Sequence, residues 1–414
     1  SLTADVAVVP GGARLVSKTN TTVSQPAHRL ARVESLTGLR WFAAAAVFFH
    51  HFMNFAPIPR LSKVTPIGVT GVSFFFVLSG FVLTWSFFDR DTAKRFYWRR
   101  FARIYPLVVV TTLVALPVFY GSLDSFQKPW DVGNIALSMV LLHAWFSGAP
   151  LIFFGGSPAS WSLSCEAFFY AVFPAVIRPL LRRSVPVLLT IAASIIAFMW
   201  GLLLFARFAR PGQIPGTELP ITGLMLGSPL GRIWEFLLGV VVSCAVRKGW
   251  RPPVGFWTAV GLLAVAILFL VVWIRQPGWS TAFVKSTSAQ NQVTAPFYAL
   301  LIAAAATRDI NGKRSFLRHP AMVSLGQWSY AFYLTHATVI YAARLIWGQQ
   351  PSSAHNLVFV LPMLVVTTFV AFVFYRLIEH PVERRLRGML PPLEPDRRVD
   401  APEGETDKAV PAKA

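Results

Sequence analysis

Three features of this sequence predict an all-α, polytopic membrane helix bundle. Of its 414 residues, 55% are hydrophobic and only 14% are charged, whereas a soluble chain carries about a quarter of its residues as Asp, Glu, Lys and Arg. The apolar residues, with 35 Phe and 14 Trp among them, gather into runs near the ~20 residues that cross a bilayer core as helix. The Lys and Arg behind the net charge of +20 fall in short clusters between those runs, as they do in loops facing an anionic cytoplasmic leaflet. That distribution points to a lipid bilayer as the partner and argues against nucleic acid.

The runs lie at 38–56, 67–88, 102–120, 163–181, 185–206, 230–247, 254–274, 293–308, 322–346 and 356–379, with a weaker one at 132–147. Basic clusters decide how the weak run is treated. With the N-terminus inside, the loop Asp89 to Arg103 is cytoplasmic and carries Arg90, Lys94, Arg95, Arg99, Arg100 and Arg103. If 132–147 crossed fully, three later clusters would face outward: Arg178 with Arg182 and Arg183, Arg247 with Lys248 and Arg251, and Lys313 with Arg314 and Arg318. If it is re-entrant or interfacial, all three return inside with Arg384, Arg385 and Arg387, in accord with the positive-inside rule. The expectation is therefore ten transmembrane helices, one extra re-entrant or interfacial segment, and both termini cytoplasmic in the cell membrane.

Residues 1–35 read as a polar N-terminal tail without the apolar core of a cleavable signal, so the first span is expected to direct insertion. Residues 36–387 form the membrane domain, and 388–414, rich in Pro, Asp, Glu, Lys and Ala, read as a disordered cytoplasmic extension. Cys165 and Cys244 both fall in apolar segments and suggest neither a disulfide framework nor a metal site.

The first run contains Arg40 and His51. Eleven residues of helix turn through roughly 1100°, within about 20° of whole turns, so both side chains share one face about 16 Å apart along the axis. Ionisable groups inside a span are costly and face a polar interior or a substrate path. His50 points about 80° away from His51. Arg99, Arg100 and Arg103 gather at the inner entrance of the third span, either as a positive-inside anchor or as a phosphate site for forked guanidinium groups. Between Gly71 and Gly80, the side-chain polar groups are Ser73 and Ser79, and helix packing is the favoured role of the glycines.

Glu166 lies one turn into the fourth span after a loop with Gly155, Gly156 and Pro158. It is read as functional, with helix capping together with Ser162 as the alternative. Ser329, Tyr333 and His336 recur at i, i+4 and i+7, a polar stripe suited to lining a cavity. Arg232 with Glu235, and Arg376 with Glu379, are expected as local ion pairs. No third ligand at metal-like spacing accompanies His51 and His336, and no metal is expected.

Taken together, these stretches resemble the acyltransferase-3 family of integral membrane O-acyltransferases. The matching motifs are Arg40 and His51 with ten residues between them, Gly71 to Phe81, Arg99-Arg-Phe-Ala-Arg-Ile-Tyr-Pro106 and Trp161-Ser-Leu-Ser-Cys-Glu166. They continue with Arg232-Ile-Trp-Glu-Phe-Leu-Leu-Gly239, Ser329-Tyr to His336, and Glu379-His-Pro381. The opening Ser35-Leu-Thr-Gly-Leu-Arg-Trp-Phe-Ala-Ala is most similar to the macrolide-acylating branch. Trp41 departs from the small or aliphatic residue of the polysaccharide-modifying pattern, and no soluble hydrolase-like domain follows the spans.

The resemblance implies acyl transfer from acyl-coenzyme A, acetyl-coenzyme A first, to a hydroxyl of a sugar, glycan or macrolide. On that basis, Arg99, Arg100 and Arg103 are candidates for the nucleotide of the coenzyme. Arg40 lies along the path of its arm, His51 is the candidate general base with Glu166 orienting it or the acceptor, and Ser329, Tyr333 and His336 are candidate contacts to acceptor or oxyanion. Intramembrane Arg, His and Glu would also suit a secondary transporter or an exporter of a polysaccharide or small-molecule pathway.

Overall fold

The computed structural model describes residues 30–88, 91–146, 157–208, 227–274 and 287–390. Residues 1–29 of the expected 1–35 tail and 391–414 of the expected 388–414 extension, together with Arg90, Gly155 and Gly156, lie outside the described residues.

Among the described residues the chain is all helix: α1 (Glu34–Phe52), α2 (Gly71–Trp85), α3 (Ala93–Phe119), α4 (Val132–Met139), α5 (Trp161–Leu181) and α6 (Val185–Phe208). There follow α7 (Pro229–Arg247), α8 (Phe256–Ile274), α9 (Thr287–Ile310), α10 (Pro320–Trp347), α11 (Leu357–Phe374) and α12 (His380–Gly388). Among the described residues, seven segments are long and apolar enough to cross a membrane, and the fold is a polytopic helix bundle. α1 and α10 fall outside those seven because Arg40, His50 and His51, and Ser329, Tyr333, Thr335 and His336, dilute their apolar content. These two long helices carry Arg40, His51, Ser329, Tyr333 and His336 of the candidate site.

The weak run 132–147 resolves into the eight-residue α4 and a single 3-10 turn at His143–Trp145. Eight residues rise only about 12 Å, against the ~30 Å of a bilayer core, so α4 cannot span. The basic run before the third span is helical rather than a loop. α3 starts at Ala93, where the Thr92 side chain accepts from the Arg95 amide at 3.3 Å and satisfies one of the free donors of the first turn. Arg99, Arg100 and Arg103 are thereby fixed on a helical surface. α7 begins the same way, with Ser228 accepting from the Gly231 amide at 3.0 Å and Pro229 in the first turn.

Small residues set the closest helix approaches, as van der Waals packing in lipid demands. A Cβ on Gly80 would strike the Phe236 carbonyl of α7, and one on Gly239 would strike the Val77 carbonyl of α2. The α2–α7 crossing is therefore a reciprocal glycine contact. Gly326 of α10 meets the Thr37 carbonyl of α1 in the same way.

Beside the α2–α7 crossing lies the most deeply buried charge pair. Arg232 and Glu235 are both inaccessible, with Nη2 and Oε2 2.9 Å apart. The Arg232 guanidinium donates to the Ser73 hydroxyl at 3.0 Å and lies 5.0 Å and 5.5 Å from the rings of Phe76 and Trp161. The local pair expected at Arg232 and Glu235 is present and ties α7 to α2.

The pair expected between Arg376 and Glu379 does not form. Residues Tyr375–Glu379 make a π-helical turn, whose i→i+5 bonding takes positions three apart off a shared face. Glu379 turns instead to Arg103, at 2.6 Å, with Glu383 joining at 2.9 Å.

Candidate active site

A cavity of about 110 Å³ opens between α1, α2, α3, α5 and α10. α5 runs along it: Ser162, Glu166 and Tyr170, at four-residue spacing, share one face and all line it. Around the Tyr170 end, its hydroxyl donates to Glu166 at 3.2 Å and lies 3.4 Å from the Ser79 hydroxyl, while the Arg100 guanidinium lies 5.9 Å from the Tyr170 ring. At the Ser162 end, about 12 Å along the helix, the Ser162 and Tyr333 hydroxyls are 2.8 Å apart.

Arg40 and Arg100 both line the cavity, and among the described residues neither has a hydrogen-bond or ion-pair partner. The other two basic residues of the cluster are neutralised. Arg99 pairs with Asp91 and does not line the cavity, while Arg103 lines it but is held by Glu379 and Glu383. The wall therefore presents two guanidinium groups without counter-ions beside one carboxylate, an arrangement that favours an anion.

His51 and His336 stand off the cavity and meet each other. Nδ1 of His51 is 3.2 Å from Nε2 of His336 and 3.1 Å from the Val47 carbonyl, and Nδ1 of His336 is 2.7 Å from the Tyr333 carbonyl. Tyr333 links the two regions, with its ring 5.7 Å from that of His336 and its hydroxyl on Ser162. The partner of His51 is thus His336, and Glu166 contacts Tyr170 instead. Ser329 donates to the Gly326 carbonyl at 2.7 Å while facing the cavity.

Of the nine site residues singled out in the sequence, Arg40, Arg100, Arg103, Glu166, Ser329 and Tyr333 line this one cavity, while Arg99, His51 and His336 do not. The sequence missed Tyr170 and Tyr330 as members of it, the latter donating to the Ile104 carbonyl at 3.2 Å. The four-residue step from Glu166 would have pointed to Tyr170; Tyr330 sits next to the Ser329–Tyr333 stripe and carried no separate signal. The acidic partners of Arg103 also escape the sequence, in which Glu379 is expected beside Arg376 and Glu383 carries no signal.

Residues 33–376 match the family model described as an acyltransferase domain. The chain belongs to the acyltransferase-3 family. It is 37% identical over 404 residues to the acyltransferase MdmB of Streptomyces mycarofaciens, covering 92% of this chain and 98% of that protein. The peptidoglycan O-acetyltransferase OatA of Listeria monocytogenes is 29% identical over 223 residues, 49% of this chain and 34% of the relative. The O-acetyltransferase OatA of Staphylococcus aureus is 26% identical over 377 residues, 84% of this chain and 57% of that protein. No solved structure matches. The protein is a multi-pass membrane O-acyltransferase.

Proposed function

We propose that the protein transfers an acyl group, acetyl in the first instance, from acyl-coenzyme A to a hydroxyl of a macrolide or glycan, with His51 as general base. The observation that carries this reading is the cavity whose Arg40 and Arg100 lack counter-ions. Such a site suits the phosphates of the coenzyme, since forked guanidinium groups bind phosphate oxygens by charge-assisted hydrogen bonds. The pantetheine arm would enter past Arg40, alongside Phe75 and Phe76 of the cavity wall.

In this mechanism His51 takes the proton of the acceptor hydroxyl as its oxygen attacks the thioester carbonyl. Collapse of the tetrahedral intermediate breaks the carbon–sulfur bond, and the departing thiolate takes the proton from the imidazolium. Glu166 and Tyr170 hold the donor's arm, and Ser329 and Tyr333 meet the acceptor through their hydroxyl oxygens, since they donate to the Gly326 and Ala159 carbonyls. The cytoplasmic basic clusters favour both termini inside, with the coenzyme arriving from that side.

The macrolide acceptor is favoured by the opening Ser35 to Ala44 stretch with Trp41, whose ring packs 4.8 Å from that of Phe332. The test is release of free coenzyme A from acetyl-coenzyme A by detergent-solubilised protein, wild type against His51→Ala, with macrolides, glycans and sugars as acceptors. Acceptor-dependent release that disappears in the variant supports the reading, and the acceptor that works names the substrate. Equal release by both proteins removes His51 as base. No release with any acceptor or chain length, from folded protein, moves the reading to a transporter.

A further inference from the structure

The geometry points to His336 as a positioning residue that fixes His51 in the tautomer with its lone pair on Nε2. The inference rests on the reading of His51 as base and assigns the atom that takes the proton. A backbone carbonyl only accepts, so the 2.7 Å contact with the Tyr333 oxygen puts a proton on Nδ1 of His336. A neutral imidazole has a single N–H, and Nε2 of His336 is then an acceptor. Nδ1 of His51 thus faces two acceptors, that nitrogen at 3.2 Å and the Val47 oxygen at 3.1 Å. Only an N–H at that position satisfies both. The remaining nitrogen, Nε2 of His51, carries the lone pair that a general base requires.

The alternative protonation has a specific fault. An imidazolium at His336 could donate from Nε2 to Nδ1 of His51. That would set a lone pair of His51 against the Val47 carbonyl and leave a cation at His336, which is wholly inaccessible. A buried charge without a counter-ion is strongly disfavoured. Both carbonyl acceptors lie within the histidines' own helices, three or four residues back, so α1 and α10 supply the alignment once they are packed. Phe332 completes the holder, stacked on His336 at 6.2 Å with the planes 11° apart.

Two acceptors serve His51 unequally. The Val47 carbonyl lies one turn back on its own helix, whereas His336 reaches across from α10. When His51 gains its second proton, its Nδ1–H becomes a charge-assisted donor, and a second acceptor then stabilises the transition state more than the resting state. The nearest ionisable side chains to His51 are His336 and His50, the latter 5.0 Å away ring to ring on α1.

The test uses the full-length protein in detergent with His51→Ala, His336→Leu and His336→Gln, reading kcat and KM for thiol release together with nitrogen-15 spectra of ring-labelled histidine. His336→Leu is expected to lower kcat about 10- to 100-fold, as loss of an orienting partner does for a metal-bound imidazole, with KM for the acyl donor unchanged. His336→Gln, whose amide oxygen can accept from Nδ1–H, is expected to recover most of that loss. The wild-type spectrum should show His51 protonated at Nδ1, assigned by its absence from His51→Ala. Equal loss in the Leu and Gln variants, a raised KM at full kcat, or an Nε2-protonated His51 would overturn the inference. The wild-type spectrum decides the tautomer even if a variant does not fold. Full activity in His51→Ala would instead remove the base assignment, while the spectrum still judges the pairing separately.

Discussion

Replacing Arg100 by Gln should weaken binding of the acyl donor, while the same change at Arg99 should do little, although the two are adjacent in the sequence. The Arg99 guanidinium is already committed to Asp91, whereas that of Arg100 faces the cavity with only the ring faces of Phe96 and Tyr170 beside it. A hydrogen bond to a charged group contributes about 1.5–3 kcal/mol, and each 1.4 kcal/mol is tenfold in affinity, so losing the Arg100–phosphate contact corresponds to about 10- to 150-fold in KM. Arg99→Gln should stay within about threefold, the scale of a partly exposed ion pair. The assay is thiol release at saturating acceptor against acyl-coenzyme A concentration. Equal KM increases in the two variants, or a fall in kcat at fixed KM for Arg100→Gln, would refute the sorting of the cluster by its existing partners.

Arg103→Gln should act on stability rather than on donor binding, since it strands Glu379 and Glu383, and thermal unfolding in detergent reads the difference. Glu235→Gln should destabilise by about 3–5 kcal/mol by leaving Arg232 buried without its counter-charge, while Arg232→Met with Glu235→Leu should recover most of that loss; unfolding midpoints of the wild type and the two variants check it. Gly239→Leu should lower the midpoint and activity together by forcing α2 from α7, with Gly201→Leu, at a position open to space, as the control. At the loop after α3, Arg344 donates two bonds to Asp124, 2.9 Å and 3.1 Å, and holds its carboxyl below the usual range. A depressed carboxyl contributes stability that is present above the ordinary Asp pKa near 4 and is lost as pH falls through its lowered value. Arg344→Gln should therefore cost up to about 1 kcal/mol at pH 7 and nothing at a pH below that window, as limited proteolysis of the loop would show.

Most of the fold could be read along the chain because lipid imposes one strong requirement, a helix of apolar residues for each crossing. Every predicted run has its helix, including 322–346 within α10, which spans Pro320–Trp347. The errors sit where polar residues belong to a helix: α3 begins at Ala93, ahead of the expected 102, because Thr92 caps a turn made of Lys94 and Arg95. Within the site, periodicity put Ser329 and Tyr333 on one cavity face. It could not pair His336 with His51, 285 positions away, or send Glu379 to Arg103, 276 positions away, since those partners depend on which helices become neighbours. Hydropathy carries depth but not adjacency.

The spacing of Arg232 and Glu235 bears on how the chain enters the membrane. A charge presented alone on an inserting helix costs up to about 2.5–3.5 kcal/mol at the helix centre and less in the first two turns, where Arg232 and Glu235 lie in α7. Three residues apart, the two close their ion pair within α7 itself, as the helix forms and before any neighbour arrives. The first turns of the segment then enter the bilayer with their two charges offset, and Arg247 remains at the far end of the helix. Ser73, 159 positions earlier, is by then already synthesised and can receive the guanidinium at once. The pair is thus local enough for insertion and distant enough in its third contact to select the right neighbour, so the biogenesis of α7 is written into the same residues that later lock it against α2.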